Sequence, residues 1–431
     1  MFTVHSVHYK KFTKIVTKII LKKKYRTITN CRICYSKSLS KVINLGYLAF
    51  TGKFWNKNKK VPKAPLELVQ CKKCELVQLG HNFSRKFLYS KDYGYRSGIN
   101  NTMRNHLSKI VRKINTIVEL KKNDVVLDIA SNDGTLLNSY KNKKIKKFGI
   151  DPTIVKFKKY YLDIDYKIAN FFNKKLYFSK TKTKAKVITA ISVFYDLPDP
   201  NKFLYDIKNI LHKDGLFLIE QSDLYLMLKH NSVDTICHEH LEYYSVYVIK
   251  NLIKKHGLKI FYHEYNEING GSSRFYICHN DNKKFKCFNF FLKKIIKRER
   301  EYGMFNNLAF KKFQLRIKKI GINLKKKLKF LKNNKKLVHG YGASTKGNVT
   351  LQYFNIGNYL EYIADRNLEK CNLYTPGSNI KIISEKESRL MCPDYYFVLP
   401  WHFKNEILKR EKNIIRKGAR FIFPFPKVSI I

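Results

Sequence analysis

Val125-Val126-Leu127-Asp128-Ile129-Ala130-Ser131-Asn132-Asp133-Gly134-Thr135 reads as a buried strand that enters a turn of small and polar residues and then a helix. In an open α/β sheet such a turn lies at the carboxyl ends of the strands, where ligands bind. Working outward, Phe148-Gly149-Ile150-Asp151, Val187-Ile188-Thr189-Ala190 and Leu216-Phe217-Leu218-Ile219-Glu220 are further short apolar runs at helix-length intervals. That rhythm indicates βαβ units and a parallel sheet between about residues 121 and 265. Asp128 after the first strand and Asp151 after the second are placed to hold a polar cofactor, with Asp151 accepting from a ribose diol. The pair is the usual S-adenosylmethionine (SAM) layout. Gly134 is the one glycine of the turn and Ala130 stands where the commoner pattern has Gly, so the G-x-G-x-x-G of a dinucleotide site is absent.

Ahead of this block, Cys31-Arg32-Ile33-Cys34 and Cys71-Lys72-Lys73-Cys74 form two C-x-x-C knuckles. A two-residue gap lets both thiolates face one tetrahedral ion, and two knuckles complete a closed structural zinc site. Cys237, Cys278, Cys287, Cys371 and Cys392 have no such spacing and read as packing residues. Behind the block, Phe313, Ile317, Ile320, Leu324, Leu328 and Leu331 recur every three or four residues, the apolar face of a connector helix. Leu337-Val338-His339-Gly340 then opens a second strand-turn-helix unit. Its Gly340–Gly347 turn, with Lys346, suits a phosphate, and Asp365 after the next strand invites a comparison with NAD sites. Between the two units, Cys237-His238-Glu239-His240 offers metal ligands or acid-base groups; H-x-H lacks the H-E-x-x-H spacing of catalytic zinc, which favours acid-base work.

Asp128-Ile-Ala-Ser-Asn-Asp-Gly-Thr, Asp234-Thr-Ile-Cys-His-Glu-His-Leu-Glu-Tyr-Tyr-Ser, Asn269-Gly-Gly-Ser, Gly340-Tyr-Gly-Ala-Ser-Thr-Lys-Gly-Asn and Leu399-Pro-Trp-His-Phe follow the cysteine pairs in order. Together they resemble the zinc-containing sugar-nucleotide C-methyltransferases, which methylate C-3 of nucleoside-diphosphate 4-keto-6-deoxy sugars. The resemblance implies an α/β protein: a class I methyltransferase (Rossmann-like) domain with an N-terminal zinc-binding module and a C-terminal Rossmann-like domain. The expected division is a basic extension over 1–30, zinc module 31–90, methyltransferase domain 91–280, helical connector 281–335 and sugar-nucleotide domain 336–431. Cofactors are SAM, on Asp128, Ala130, Asn132, Gly134 and Asp151, and a structural Zn2+ on Cys31, Cys34, Cys71 and Cys74. The resemblance places the catalytic base on His240, with Glu239 as the adjacent acidic group that orients it. Cys237 sits where some relatives carry a tyrosine, so that hydroxyl's help with the enolate is either absent or supplied by Tyr95, Tyr243 or Tyr244. Tyr244, Asn269, Ser344, Lys346, Asp365, Trp401 and His402 are the expected substrate contacts.

The 86 basic against 32 acidic side chains give +54, a charge that raises nucleic acid as a partner and a nucleic-acid-binding zinc methyltransferase as the competing function. The excess is spread through every block and is Lys rather than Arg, alongside abundant Asn, Ile, Phe and Tyr. An AT-rich genome produces that composition without a selected partner. The expectation is therefore a sugar-nucleotide substrate, no specific nucleic acid and a monomer. An NAD-linked sugar-nucleotide dehydrogenase is the third alternative. No apolar run approaches a membrane span, and the Lys-rich opening has no apolar core followed by a small-residue cleavage site, so the expected location is cytoplasmic.

Overall fold

The computed structural model describes residues 25–57, 61–84, 88, 95–287 and 289–431; the expected basic extension lies outside them as far as residue 24. Three antiparallel strands, β1 (Leu39–Ala49), β2 (Lys63–Cys71) and β3 (Val77–Leu79), follow the first knuckle. The fourth strand of this sheet comes from far along the chain. Glu242–Tyr243 pairs antiparallel with β3, and the Leu79 amide donates to the Leu241 carbonyl at 2.8 Å. The segment that carries His240 is thereby fastened to the cysteine module.

The central sheet contains β4 (Val125–Ile129), β5 (Lys146–Ile150), β6 (Tyr166–Ile168), β7 (Ala185–Ile191), β8 (Leu211–Ser222), β9 (Leu258–Asn266) and β10 (Ser272–His279). Their order is β9-β10-β8-β7-β4-β5-β6, parallel from β8 to β6, with β10 antiparallel to both its neighbours. This is the class I methyltransferase arrangement, with its reversed strand beside the fifth. Period-two alternation divides the side chains between two cores. Val125, Leu127 and Ile129 join the helices Pro200–Ile210 and Val246–Lys255 and the buried Cys31 and Cys71 on one face, whereas Val126 joins the helix Asn101–Ile117 on the other.

A third core crosses the chain's sequence blocks. It includes Leu66 and Leu79 of the cysteine module, Ile236 and Leu241 beside the histidine motif, and the long helix Leu308–Asn333. All six stripe residues of that helix are buried, so the amphipathic segment is a packed connector. The last sheet has the order β13-β12-β11-β14-β15-β16, built from β11 (Val338–Tyr341), β12 (Ile363–Asp365), β13 (Ile382–Ser384), β14 (Tyr395–Val398), β15 (Arg420–Phe423) and β16 (Ser429–Ile430). Only its terminal pair is antiparallel. Among the described residues, no helix is long and apolar enough to cross a membrane.

Candidate active site

The turns after β4 and β11 open onto one cavity of about 420 Å³, which reaches from the first parallel sheet to the second. They are built alike. Asp151 accepts from the Asn132 amide at 2.9 Å and the Thr153 amide at 2.6 Å; Asp365 accepts from the Ala343 amide at 2.6 Å and the Asn367 amide at 2.7 Å. In each half a carboxylate at the end of the second strand fixes the turn that follows the first.

In the first half, Ala130, Asn132 and Gly134 all have positive φ, at 58°, 51° and 74°. An alanine in that region is strained by about 1 kcal/mol, which is why glycine is commoner there. Asp128 and Asp151 line the cavity, and Asp128 accepts from Thr189 Oγ1 at 2.6 Å. Burial, with a smaller effect from the Asp151 charge, pushes the Asp128 carboxyl up to about 7. Thr153 Oγ1 also donates to Asp151 at 2.6 Å, so three of the roughly four acceptor positions of that carboxylate are taken. One remains for a ribose hydroxyl. With Pro152, Phe171 and Ile191 supplying apolar wall, the pocket fits SAM.

Asn132 lines the cavity, and its side chain also holds the neighbouring chain. Its Oδ1 accepts from the Ser97 amide at 2.9 Å and its Nδ2 donates to the Tyr95 carbonyl at 3.3 Å, while Asp133 accepts from the Gly98 amide at 2.9 Å. These bonds strap residues 95–98 across the turn and bring Tyr95 and Arg96 to the cavity wall. Gly134 is outside the lining and caps the following short helix with its left-handed backbone.

His240 lines the cavity against the Tyr195 ring, 4.3 Å between centroids. Its Nδ1 is 2.8 Å from the Thr235 carbonyl, which can only accept. The proton therefore sits on Nδ1, and Nε2 carries the lone pair. Burial first, and then the charge of Lys346, lower the ring's pKa to about 3. Glu239 lines the same cavity but is turned toward Thr51, whose Oγ1 donates to it at 3.3 Å. The expectation that Glu239 orients the His240 ring is thus corrected: a backbone carbonyl does so. His238 is buried between Phe50 and Phe83, with Nε2 3.3 Å from the Ala64 carbonyl, and has a packing role.

From the second half, Ser344, Lys346, Asp365 and His402 reach the cavity, as does Asn269 from the central block. The Ser344 hydroxyl caps the helix Thr345–Tyr353 by accepting from the Gly347 amide at 3.0 Å. Burial and then Lys346 bring His402 down to about 3. Two expected substrate contacts are corrected. Trp401 does not line the cavity: its indole donates to Asp234 at 2.9 Å, and its ring packs where a side chain on Gly270 would stand, within 2.8 Å. Tyr244 is buried under the central sheet against Phe194, at 5.2 Å. Asp365 also departs from a dinucleotide site, because Lys370 Nζ lies 3.5 Å from its Oδ2 and donates to the Ala343 carbonyl at 2.7 Å. Lys370 thus holds both the Asp365 carboxylate and the turn after β11.

Sequence reading missed Ser192, Tyr195, Arg96 and Lys370, all at the cavity. Ser192 and Tyr195 follow β7, a strand the hydropathy pattern had placed; the rule that ligands meet strand C-termini points to them.

The knuckles superpose in design. Tyr35 and Glu75, each one residue past a second cysteine, have positive φ and donate their amides to Cys31 and Cys71 carbonyls at 3.0 Å. Cys31 Sγ is 3.5 Å from Cys74 Sγ, Cys34 Sγ is 3.5 Å from Cys71 Sγ, and all four lie within 4.8 Å of one another. Sulfurs about 2.3 Å from a tetrahedral ion have this spacing, so the set fits zinc with no position left for substrate.

Three family models match in series: a zinc binding domain over residues 31–89, a methyltransferase domain over 101–263 and a C-methyltransferase C-terminal domain over 267–426. The chain is a SAM-dependent C-methyltransferase with a zinc-binding module, and its cofactors are SAM and zinc. Among individual proteins it is similar to the C-methyltransferase NovU of Streptomyces niveus, 26% identical over 426 residues, which span 94% of this chain and 97% of that protein. Among solved structures, a SAM-dependent methyltransferase of Clostridium acetobutylicum is 15% identical with a TM-score of 0.33, covering 41% of this chain and 92% of that one. The mitomycin 7-O-methyltransferase MmcR is 14% identical with a TM-score of 0.32, covering 42% and 55%.

Proposed function

We propose that this C-methyltransferase methylates C-3 of a nucleoside-diphosphate 4-keto-6-deoxy sugar in the cytoplasm, with His240 as the base. One observation carries the reading: a neutral histidine, its tautomer held by a main-chain carbonyl, lies in a cavity shared by a SAM-type turn and a second Rossmann-type turn. Two such turns around one space suit two ligands that each carry a nucleoside. A carbon nucleophile needs an acidic C–H, and a ketone at C-4 makes the C-3 hydrogen removable.

Residues 31–90 hold the zinc and brace the histidine segment, 91–280 hold SAM, and 336–431 hold the sugar nucleotide across the connector 281–335. Bound SAM supplies an electrophilic sulfonium methyl group. His240 Nε2 takes the C-3 proton, and the electron pair of the broken C–H bond moves into an enolate whose oxygen is the former ketone. Asn269, which lines the cavity and whose side chain is tied to Ser192 Oγ at 3.3 Å, helps to position the sugar, with Tyr95 and His402 completing the wall. Alignment and charge stabilisation are the two large contributions available to such a transfer.

The test is mass spectrometry of purified protein with SAM and a panel of 4-keto sugar nucleotides. A gain of one methylene on the sugar, located at C-3 by NMR, is expected. Methylation on oxygen, or none with any member of the panel, would refute the assignment.

A further inference from the structure

Lys346 was expected at a phosphate because the sequence sets it in the small-residue turn after β11; it is the second residue of the helix Thr345–Tyr353. Its side chain runs elsewhere. Nζ donates to Thr235 Oγ1 at 3.2 Å and to the Asn269 carbonyl at 2.8 Å, and the group lines the cavity. Thr235 is also the residue whose carbonyl holds His240. Both partners of the ammonium are neutral, and among the described residues no carboxylate forms an ion pair with it; Asp234, the largest influence that supports its charge, is instead bonded to Trp401. An ammonium has three donors, and two are used. A half-buried cation with neutral partners, lining a cavity, is served by a ligand that brings it an anion.

Resting on the proposed reaction, we infer that Lys346 is a catalytic group that neutralises the enolate oxygen when His240 removes the neighbouring proton. Its surroundings locate it at the reacting end of the substrate: His240, Cys237, Asp234 and His402 all feel its charge. The same cation does two jobs. It adds to burial in keeping His240 unprotonated in the waiting enzyme, and it places a positive charge where negative charge develops. As the C–H pair moves toward the ketone oxygen, that oxygen gains charge and Lys346 offsets it; the proton stays on His240. When the enolate carbon bonds to the methyl carbon, the sulfur–methyl bond breaks with its electrons leaving on sulfur, the ketone re-forms and the demand on Lys346 ends. Cys237 is too weak a donor for this duty.

The experiment compares Lys346→Met and Lys346→Arg with the wild type, after zinc content and circular dichroism show each folded. Expected for Lys346→Met is a loss of about 10²- to 10³-fold in single-turnover rate, the range for one oxyanion donor, with the sugar-nucleotide Kd changed by less than about 10-fold. Lys346→Arg should recover at least part of the rate. Weakened sugar-nucleotide binding with a normal rate at saturation would make Lys346 a phosphate holder and overturn the inference. Independently of turnover, NMR titration of labelled histidines should show the His240 pKa rising in Lys346→Met; an unchanged titration would also overturn it. Wild-type protein inert toward every 4-keto sugar nucleotide would instead refute the substrate assignment, leaving the His240 titration to decide whether Lys346 controls that ring.

Discussion

The ring of His240 is held by Thr235, five residues earlier, through a 2.8 Å contact between Nδ1 and the Thr235 carbonyl. That bond decides which nitrogen faces chemistry, and it constrains the pH dependence.

A free histidine titrates near 6.5; in this site burial and the Lys346 charge bring the value to about 3. The sign follows directly: protonation disables the base, and a lowered pKa moves that loss to lower pH. His240 should therefore add no acidic limb to kcat/KM between about pH 8 and about pH 5, since this parameter reports the free enzyme, and a limb in that range belongs to Asp128, which burial raises to about 7. A limb centred near 6.5 that persists in Asp128→Asn would contradict the assigned environment.

Zinc should be present at one ion per chain and should be required for folding. The Cys71→Ser, Cys74→Ser double variant removes one knuckle, and through the Leu79–Leu241 bond it loosens the segment bearing His240. Its melting temperature should fall steeply and its zinc content vanish in metal analysis. Full stability without metal would refute a structural role.

Asp151→Ala should weaken SAM by about 1–3 kcal/mol, the worth of a charge-assisted bond lost from a buried site. Because Asp151 also holds the Asn132 and Thr153 amides, the variant should lose stability as well. Calorimetry with SAM and a thermal melt separate the two effects. Unchanged affinity would move the cofactor away from the β4 turn.

The +54 charge should give nucleic-acid binding that is weak, sequence-blind and steeply lost with salt. Filter binding at two ionic strengths measures this. Tight, sequence-selective binding at physiological salt would favour the nucleic-acid alternative.

The parts legible in sequence are those written in hydropathy period and fixed spacing. β4 and its turn, the two knuckles and the stripe from Phe313 to Leu331 follow from local pattern, because burial of a strand or helix face demands it. The distribution of side chains across domain junctions was not legible. Lys346 sits in a phosphate-type turn, yet its long stem crosses to Thr235 and Asn269. Trp401 and Tyr244 lie in motifs rich in functional residues but are drawn inward by Gly270 and Phe194. The partner that orients His240 is a main-chain carbonyl, which residue identity cannot reveal, so the adjacent Glu239 looked like the orienting group.

The most direct test of the central claim is deuterium exchange at C-3 of a bound 4-keto sugar nucleotide, in heavy water, with a non-donating SAM analogue in the cofactor site. Wild-type enzyme should wash deuterium into C-3, and His240→Asn, shown folded and able to bind both ligands, should exchange and methylate about 10²- to 10⁴-fold more slowly. Exchange and methylation by His240→Asn at close to the wild-type rates would contradict the account.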